Sequence, residues 1–127
     1  MSRIQATDIK DELIGPLVEA DDLAKTDAYL DDLANALEVD PATIVDPLPF
    51  KVKELAVAYT CQEIAKRKAG GLAGAGFKNQ DSGDKYQAKL AIFQADVQRL
   101  ESLITGDILT GIRKSAAVVG TIELERG

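Results

Sequence analysis

From Leu48 to Ala69, apolar or small side chains fall on almost every face of one helix, and that stretch limits what the chain can become. Asp46-Pro47-Leu48-Pro49 opens it. Leu48, Val52, Leu55 and Tyr59 then recur at i, i+4, i+7 and i+11, while Ala56, Val57, Ala58, Cys61, Ile64 and Ala65 spread around the rest of the circumference. A helix apolar nearly all round has to be covered by neighbours on several sides. Lys66, Arg67 and Lys68 suit the partial negative charge of a last turn, and Gly70-Gly71 predicts the end.

The cover has to come from the flanking segments. After a stretch rich in Gly, Ala, Asn, Asp and Ser, read as a loop from Gly70 to about Gly83, a second long helix is predicted from about Asp84 to Thr105. Its stripe, Tyr86, Leu90, Phe93, Val97, Leu100 and Ile104, occupies about a quarter of the helical circle, and Gly106 is its predicted stop. Tyr86 and Phe93 sit at core spacing. Two long helices joined in this way pack most simply as an antiparallel hairpin. Upstream, Thr7 is a candidate cap for a first short helix, and Ile9, Leu13 and Leu17 form a stripe that Gly15-Pro16 interrupts. Thr26 opens a better segment, with Ala28, Tyr29, Leu33 and Leu37 on its apolar face beside Leu30 and Ala34. Asp40-Pro41 pairs an N-cap with proline at the first helical position of a brief turn through Val45.

The end of the chain has a different period. Val118, Ile122 and Leu124 alternate with Val119, Thr121, Glu123 and Glu125, as in a strand, and no second strand pattern exists to pair with it. Such a segment either stays disordered or pairs with another polypeptide. The expected fold is therefore all-α: a helical bundle over residues 1–110, built on the long antiparallel hairpin. An extended C-terminal arm over 111–127 is available to add as a β-strand to a partner.

Chemistry is sparse. At 127 residues, with 46% hydrophobic and 28% charged residues, the chain has the make-up of one ordinary globular domain. It has no histidine, which removes the usual general base and the commonest metal ligand. Its one cysteine, Cys61, lies among small residues of the central helix and reads as buried. One cysteine allows no intrachain disulfide, in keeping with a reducing cytoplasm, and the polar opening residues do not resemble a signal peptide. The glycine-rich Gly70–Lys78 stretch follows a helix and carries Phe77 before Lys78, so it lacks the setting of a phosphate loop. If that loop has a role, its Leu72, Phe77 and Lys78 touch a neighbouring subunit. The pairs Asp21-Asp22 and Asp31-Asp32 lack the ligand spacing of a calcium loop and read as a solvated face. No catalytic, cofactor or metal site is expected, and no apolar run reaches membrane-spanning length. The net charge of −6 argues against gripping a phosphate backbone, although an acidic wall suits DNA that slides past without sticking.

One resemblance combines these features. A short amphipathic start is followed by the helix opening Leu48-Pro49-Phe50-Lys51-Val52-Lys53-Glu54-Leu55 and a Gly-rich gap. Lys85-Tyr86-Gln87-Ala88-Lys89-Leu90-Ala91 comes next, and the helix closes on Leu103-Ile104-Thr105-Gly106. Over roughly residues 5 to 110 this order resembles the head-tail connector (adaptor, or head-completion) proteins of tailed bacteriophages and prophages. Ala58-Tyr59, Tyr86 with Leu90, and Ile104 with Gly106 take the places of the family's pattern, Gly106 one residue early. The resemblance implies a virion neck subunit made in the host cytoplasm. It would form a ring, commonly of twelve copies, beneath the portal protein, extend the DNA channel, help retain packaged double-stranded DNA and offer a surface to the next neck or tail protein. It also implies that the C-terminal arm docks on the portal, with Val118, Val119, Ile122 and Leu124 as its contact residues. The rival reading from the residues is a cytoplasmic helical regulatory or adaptor module that binds one protein through the same tail.

Overall fold

The computed structural model describes residues 2–75 and 80–111, with side chains described outside 70–84. Over those residues the chain is all-α. Its four helices are α1 (Ala20–Ala36), α2 (Phe50–Ala75), α3 (Gln80–Leu103) and α4 (Gly106–Thr110), with short 3₁₀ turns at Ala6–Asp8, Gly15–Leu17 and Pro41–Thr43. The expected C-terminal arm lies outside the described residues.

Helix α2 is the axis. Val52, Leu55, Ala56, Thr60, Ile64 and Ala65 are fully buried on it, and α3 and α1 supply the cover. Phe93, Val97 and Leu100 of α3, with Ile104 just past its end, are buried in the core with α2, while Tyr86 and Leu90 are partly buried beside them. Early residues of α2 and late residues of α3 line one groove.

Helix α2 continues through Gly70-Gly71 to Ala75, and α3 starts at Gln80 rather than Asp84, so most of the expected loop is helical. A glycine weakens a helix by about 1 kcal/mol relative to alanine without forbidding it, and Leu72, Ala73 and Ala75 are good helix formers. The cluster Lys66-Arg67-Lys68 accordingly lies inside the helix, not in its last turn.

Helix α1 begins at Ala20, ahead of the expected Thr26, because Asp22 caps it: its Oδ2 accepts from the Glu19 N–H at 2.9 Å. Its buried stripe is Asp22, Thr26, Leu30 and Ala34, whereas Ala28 is exposed and Tyr29, Leu33 and Leu37 are only partly covered. Asp22 is thus 3% exposed, not part of a solvated pair, and its Oδ1 receives Arg67 from α2 at 2.7 Å. Asp31 also has a partner, in Arg3 at 2.9 Å. One turn along α1, the hydroxyls of Thr26 and Thr60 meet at 2.6 Å, and each also lies within hydrogen-bonding range of its own helix, at Asp22 O and Ala56 O. Two hydroxyl protons serve three short contacts. One threonine therefore donates to the other, which donates to its own helix carbonyl. Beyond this, Tyr29 stacks on Tyr59 with centroids 3.9 Å apart, and its hydroxyl donates to Glu101 of α3, tying three helices together.

The ends of the bundle follow from local chemistry. Asp8, not Thr7, completes the first turn by accepting from the Gln5 N–H. Asp40 accepts from Ala42 N at 3.0 Å, with Pro41 in the first turn as expected. Gly106 opens α4 rather than stopping α3. A Cβ there would come within 2.7 Å of Val39 Cγ2, so only glycine lets α4 approach so closely. Thr105 caps α4, and Gly111 closes it at φ +76°, a left-handed conformation that favours glycine.

Two outcomes are expected from this interface. Arg67→Ala leaves the buried Asp22 carboxylate without its cation and should cost about 2–3 kcal/mol in chemical denaturation. The same change at Lys66, whose pair with Glu63 is solvent-exposed, should cost under about 1 kcal/mol. Thr26→Val and Thr60→Val should be non-additive, with a coupling of about 1 kcal/mol in a double-mutant cycle, and strictly additive losses would refute the shared hydroxyl chain.

Candidate docking groove

One face of α2 is only partly covered. Phe50, Glu54, Val57 and Cys61 follow each other at i, i+4, i+7 and i+11 and line a groove of about 490 Å³ between α2, the second half of α3 and the N-terminal segment. The floor is apolar: Ala58, Cys61, Phe93 and Leu100 are buried there and Val57 is half-buried. Phe50, at the rim, is 74% exposed. The other large hydrophobics that stand out among the described residues are Ile92 at 56% and Leu103 at 44%. Both share a stripe of α3 with Asp96 and Arg99, which also line the groove, since 92, 96, 99 and 103 are successive positions on one helical face.

The N-terminal segment forms the third wall and is held by charge. Asp8 pairs with Lys53 of α2 at 3.2 Å and Asp11 with Lys89 of α3 at 2.8 Å. Asp11 also accepts from the N–H groups of Leu13 and Ile14, at 2.9 and 3.0 Å, which shapes the turn into Gly15–Leu17. Farther back, the backbone N–H of Arg3 donates to Asp27 Oδ1 and its guanidinium reaches Asp27 O. The hydrogen bond from Gln5 holds the Asp8 carboxyl below its ordinary pKa, against the opposing effect of burial and with help from Lys53. For Asp11, burial is the largest influence and pushes upward, but Lys89 and the two backbone N–H groups together outweigh it and keep the carboxyl low.

These carboxylates are therefore ionised at neutral pH and occupied in holding a wall. Burial, with Asp11 adding to it, pushes the Cys61 thiol up to about 12, so it is a protonated apolar neighbour rather than a nucleophile. The remaining rim groups, Lys10, Glu54, Asp96 and Arg99, mix both signs and offer no basic surface for phosphates. What the groove offers is apolar contact. Among the described residues no group of His, Cys, Asp and Glu side chains could hold a metal ion, and no helix is long and apolar enough to cross a membrane.

The residues singled out from sequence lie elsewhere. Val118, Val119, Ile122 and Leu124 are outside the described residues, as are Phe77 and Lys78. Leu72 falls within α2, but its side chain is outside what is described. Phe50 carries no signal in the sequence beyond its place in the helix opening Leu48-Pro49-Phe50. The available signal is the apolar character of α2 on all sides, of which the 50–54–57–61 face is covered least toward Phe50. No family model, curated protein or solved structure matches the chain.

Asp11→Ala should remove about 1–2 kcal/mol of stability at neutral pH. Because the folded carboxyl titrates below its ordinary value of 3.8, its contribution is complete above that pH and is lost as pH falls through the lower folded value. The gap between wild type and variant in urea denaturation should therefore close in acid, and a gap that persists unchanged at pH 2 would contradict the assignment.

Proposed function

We propose that the chain is a structural subunit of a tailed-phage neck, acting by assembly rather than catalysis. In this reading it forms a ring beneath the portal protein, extends the DNA channel, helps hold packaged DNA and presents a surface to the next neck or tail protein. The observation that carries the reading is an apolar groove, with the exposed Phe50 at its rim, on an otherwise well-packed helical body. Exposed apolar residues scattered singly need no explanation, whereas an apolar groove with an aromatic side chain standing at its rim marks a surface for a polypeptide segment. The order of elements over residues 5 to 110 supports the connector family in particular. The net charge of −6 supports a wall past which DNA slides without being held. The C-terminal residues Val118, Val119, Ile122 and Leu124 serve as the arm that docks on the portal by adding a strand.

Electron microscopy of the full chain mixed with portal tests this directly. A ring of copies seated on the portal is expected, and a chain shortened after Arg113 should keep its helical circular dichroism yet fail to dock. Capture of one soluble partner by one or two copies, with no portal binding, would replace this reading with a cytoplasmic regulatory module.

A further inference from the structure

We infer that the groove beside Phe50 is the seat of this chain's own C-terminal segment, with the Val118, Ile122 and Leu124 face turned into it. The first support is the position at which the described chain stops. Val45 N–H donates to Leu109 O at 3.0 Å, and a Cβ on Gly111 would meet Val45 Cγ1 at 3.0 Å, so residue 112 departs from beside Val45. Five residues separate Val45 from Phe50 at the groove rim, a span of at most about 19 Å at ~3.8 Å between successive Cα atoms. The seven residues from Ile112 to Val118 cover about 23 Å when extended and the eleven to Ile122 about 36 Å, at ~3.3 Å each. The apolar part of the segment is therefore long enough to reach the groove rim.

The second support is the match of surfaces. In an extended segment Val118, Gly120, Ile122 and Leu124 share one side, and Thr121, Glu123 and Glu125 share the other with Val119. The groove has an apolar floor of Val57, Ala58, Cys61, Phe93 and Leu100 beneath a rim of mixed charge, so it takes such a strip with its polar edge toward water. Mixed rim charge gives no preference for a strongly acidic or basic partner. Proximity decides the occupant: a segment tethered this close has an effective concentration of order millimolar, well above that of a second copy at micromolar protein. The seating is a property of the free chain: the segment leaves the groove when it docks on the portal, and the seating stands whether or not the chain forms a ring.

The test uses the full chain with Ile122 replaced by the photoreactive p-benzoylphenylalanine, irradiated at micromolar concentration. The expected product migrates as a monomer, and peptide mass spectrometry places the cross-link on Phe50, Val57 or Phe93. Phe50→Asp in the same chain should lower the yield several-fold with unchanged circular dichroism, since residue 50 is solvent-exposed and an acid suits the first turn of a helix. A cross-linked dimer would instead make the occupant a second copy. Attachment away from the groove, no cross-link at all, or a yield indifferent to Phe50→Asp would equally overturn the proposal. None of these outcomes bears on the portal experiment, which reads ring assembly.

Discussion

Helix α2 has to find apolar cover on nearly every side, and its small residues decide how close that cover can come. Ala56, Ala58, Ala65 and Ala69 alternate with Val52, Leu55 and Ile64, so neighbouring helices approach its backbone at some levels and interdigitate with branched side chains at others. Burying each larger side chain contributes about 1.5–3 kcal/mol. The rest of the chain is arranged around that requirement: α3 covers one flank, α1 a second, and the N-terminal segment closes part of a third through Asp8 and Asp11.

Hydrophobic cover alone does not fix how α1 lies on α2, because apolar surfaces can slide. The polar contacts within that interface supply the register. Thr26 and Thr60 are both fully buried and satisfy each other, and Asp22 receives Arg67 where α1 begins. A shift of α1 by one turn would break the Thr26–Thr60 contact and part the buried Asp22 carboxylate from its guanidinium, and separating that charge pair costs more than a hydrogen bond contributes in place. Asp22 has a double role, since the carboxylate that caps α1 also accepts the guanidinium, and the positive end of the helix makes its burial less costly.

This double role explains which parts of the fold were legible in the sequence. The α3 stripe was legible because period and burial coincide from Phe93 to Ile104, and Cys61 because small apolar neighbours surround it. The start of α1 was not, since its buried face carries Asp22 and Thr26. A search for apolar periodicity rejects both, and their partners lie 45 and 34 residues away. The glycines misled for a related reason. Gly70-Gly71 has the composition of a stop, and Gly106 has it too, yet the first pair is carried inside α2 and the second permits the approach of α4 to Val39. The groove was half legible: the all-round apolar character of α2 implied a neighbour on each face, but only three-dimensional packing shows that the Phe50–Cys61 face is the one only partly covered.

That partly covered face also indicates the kind of partner it suits. A small-molecule site combines apolar walls with a few polar groups converging on the ligand. Here the carboxylates nearest the floor are already committed, Asp8 to Lys53 and Asp11 to Lys89 and two backbone N–H groups, so they hold a wall and do not point unpaired into the space. A polypeptide segment makes no such demand. It brings backbone groups that water can satisfy along the open side and needs from the groove only an apolar floor and a way in past the rim. Phe50 provides an aromatic surface at that rim. The charge pairs that keep the N-terminal wall in place are therefore what keep the groove open to a chain and poorly suited to a small ligand.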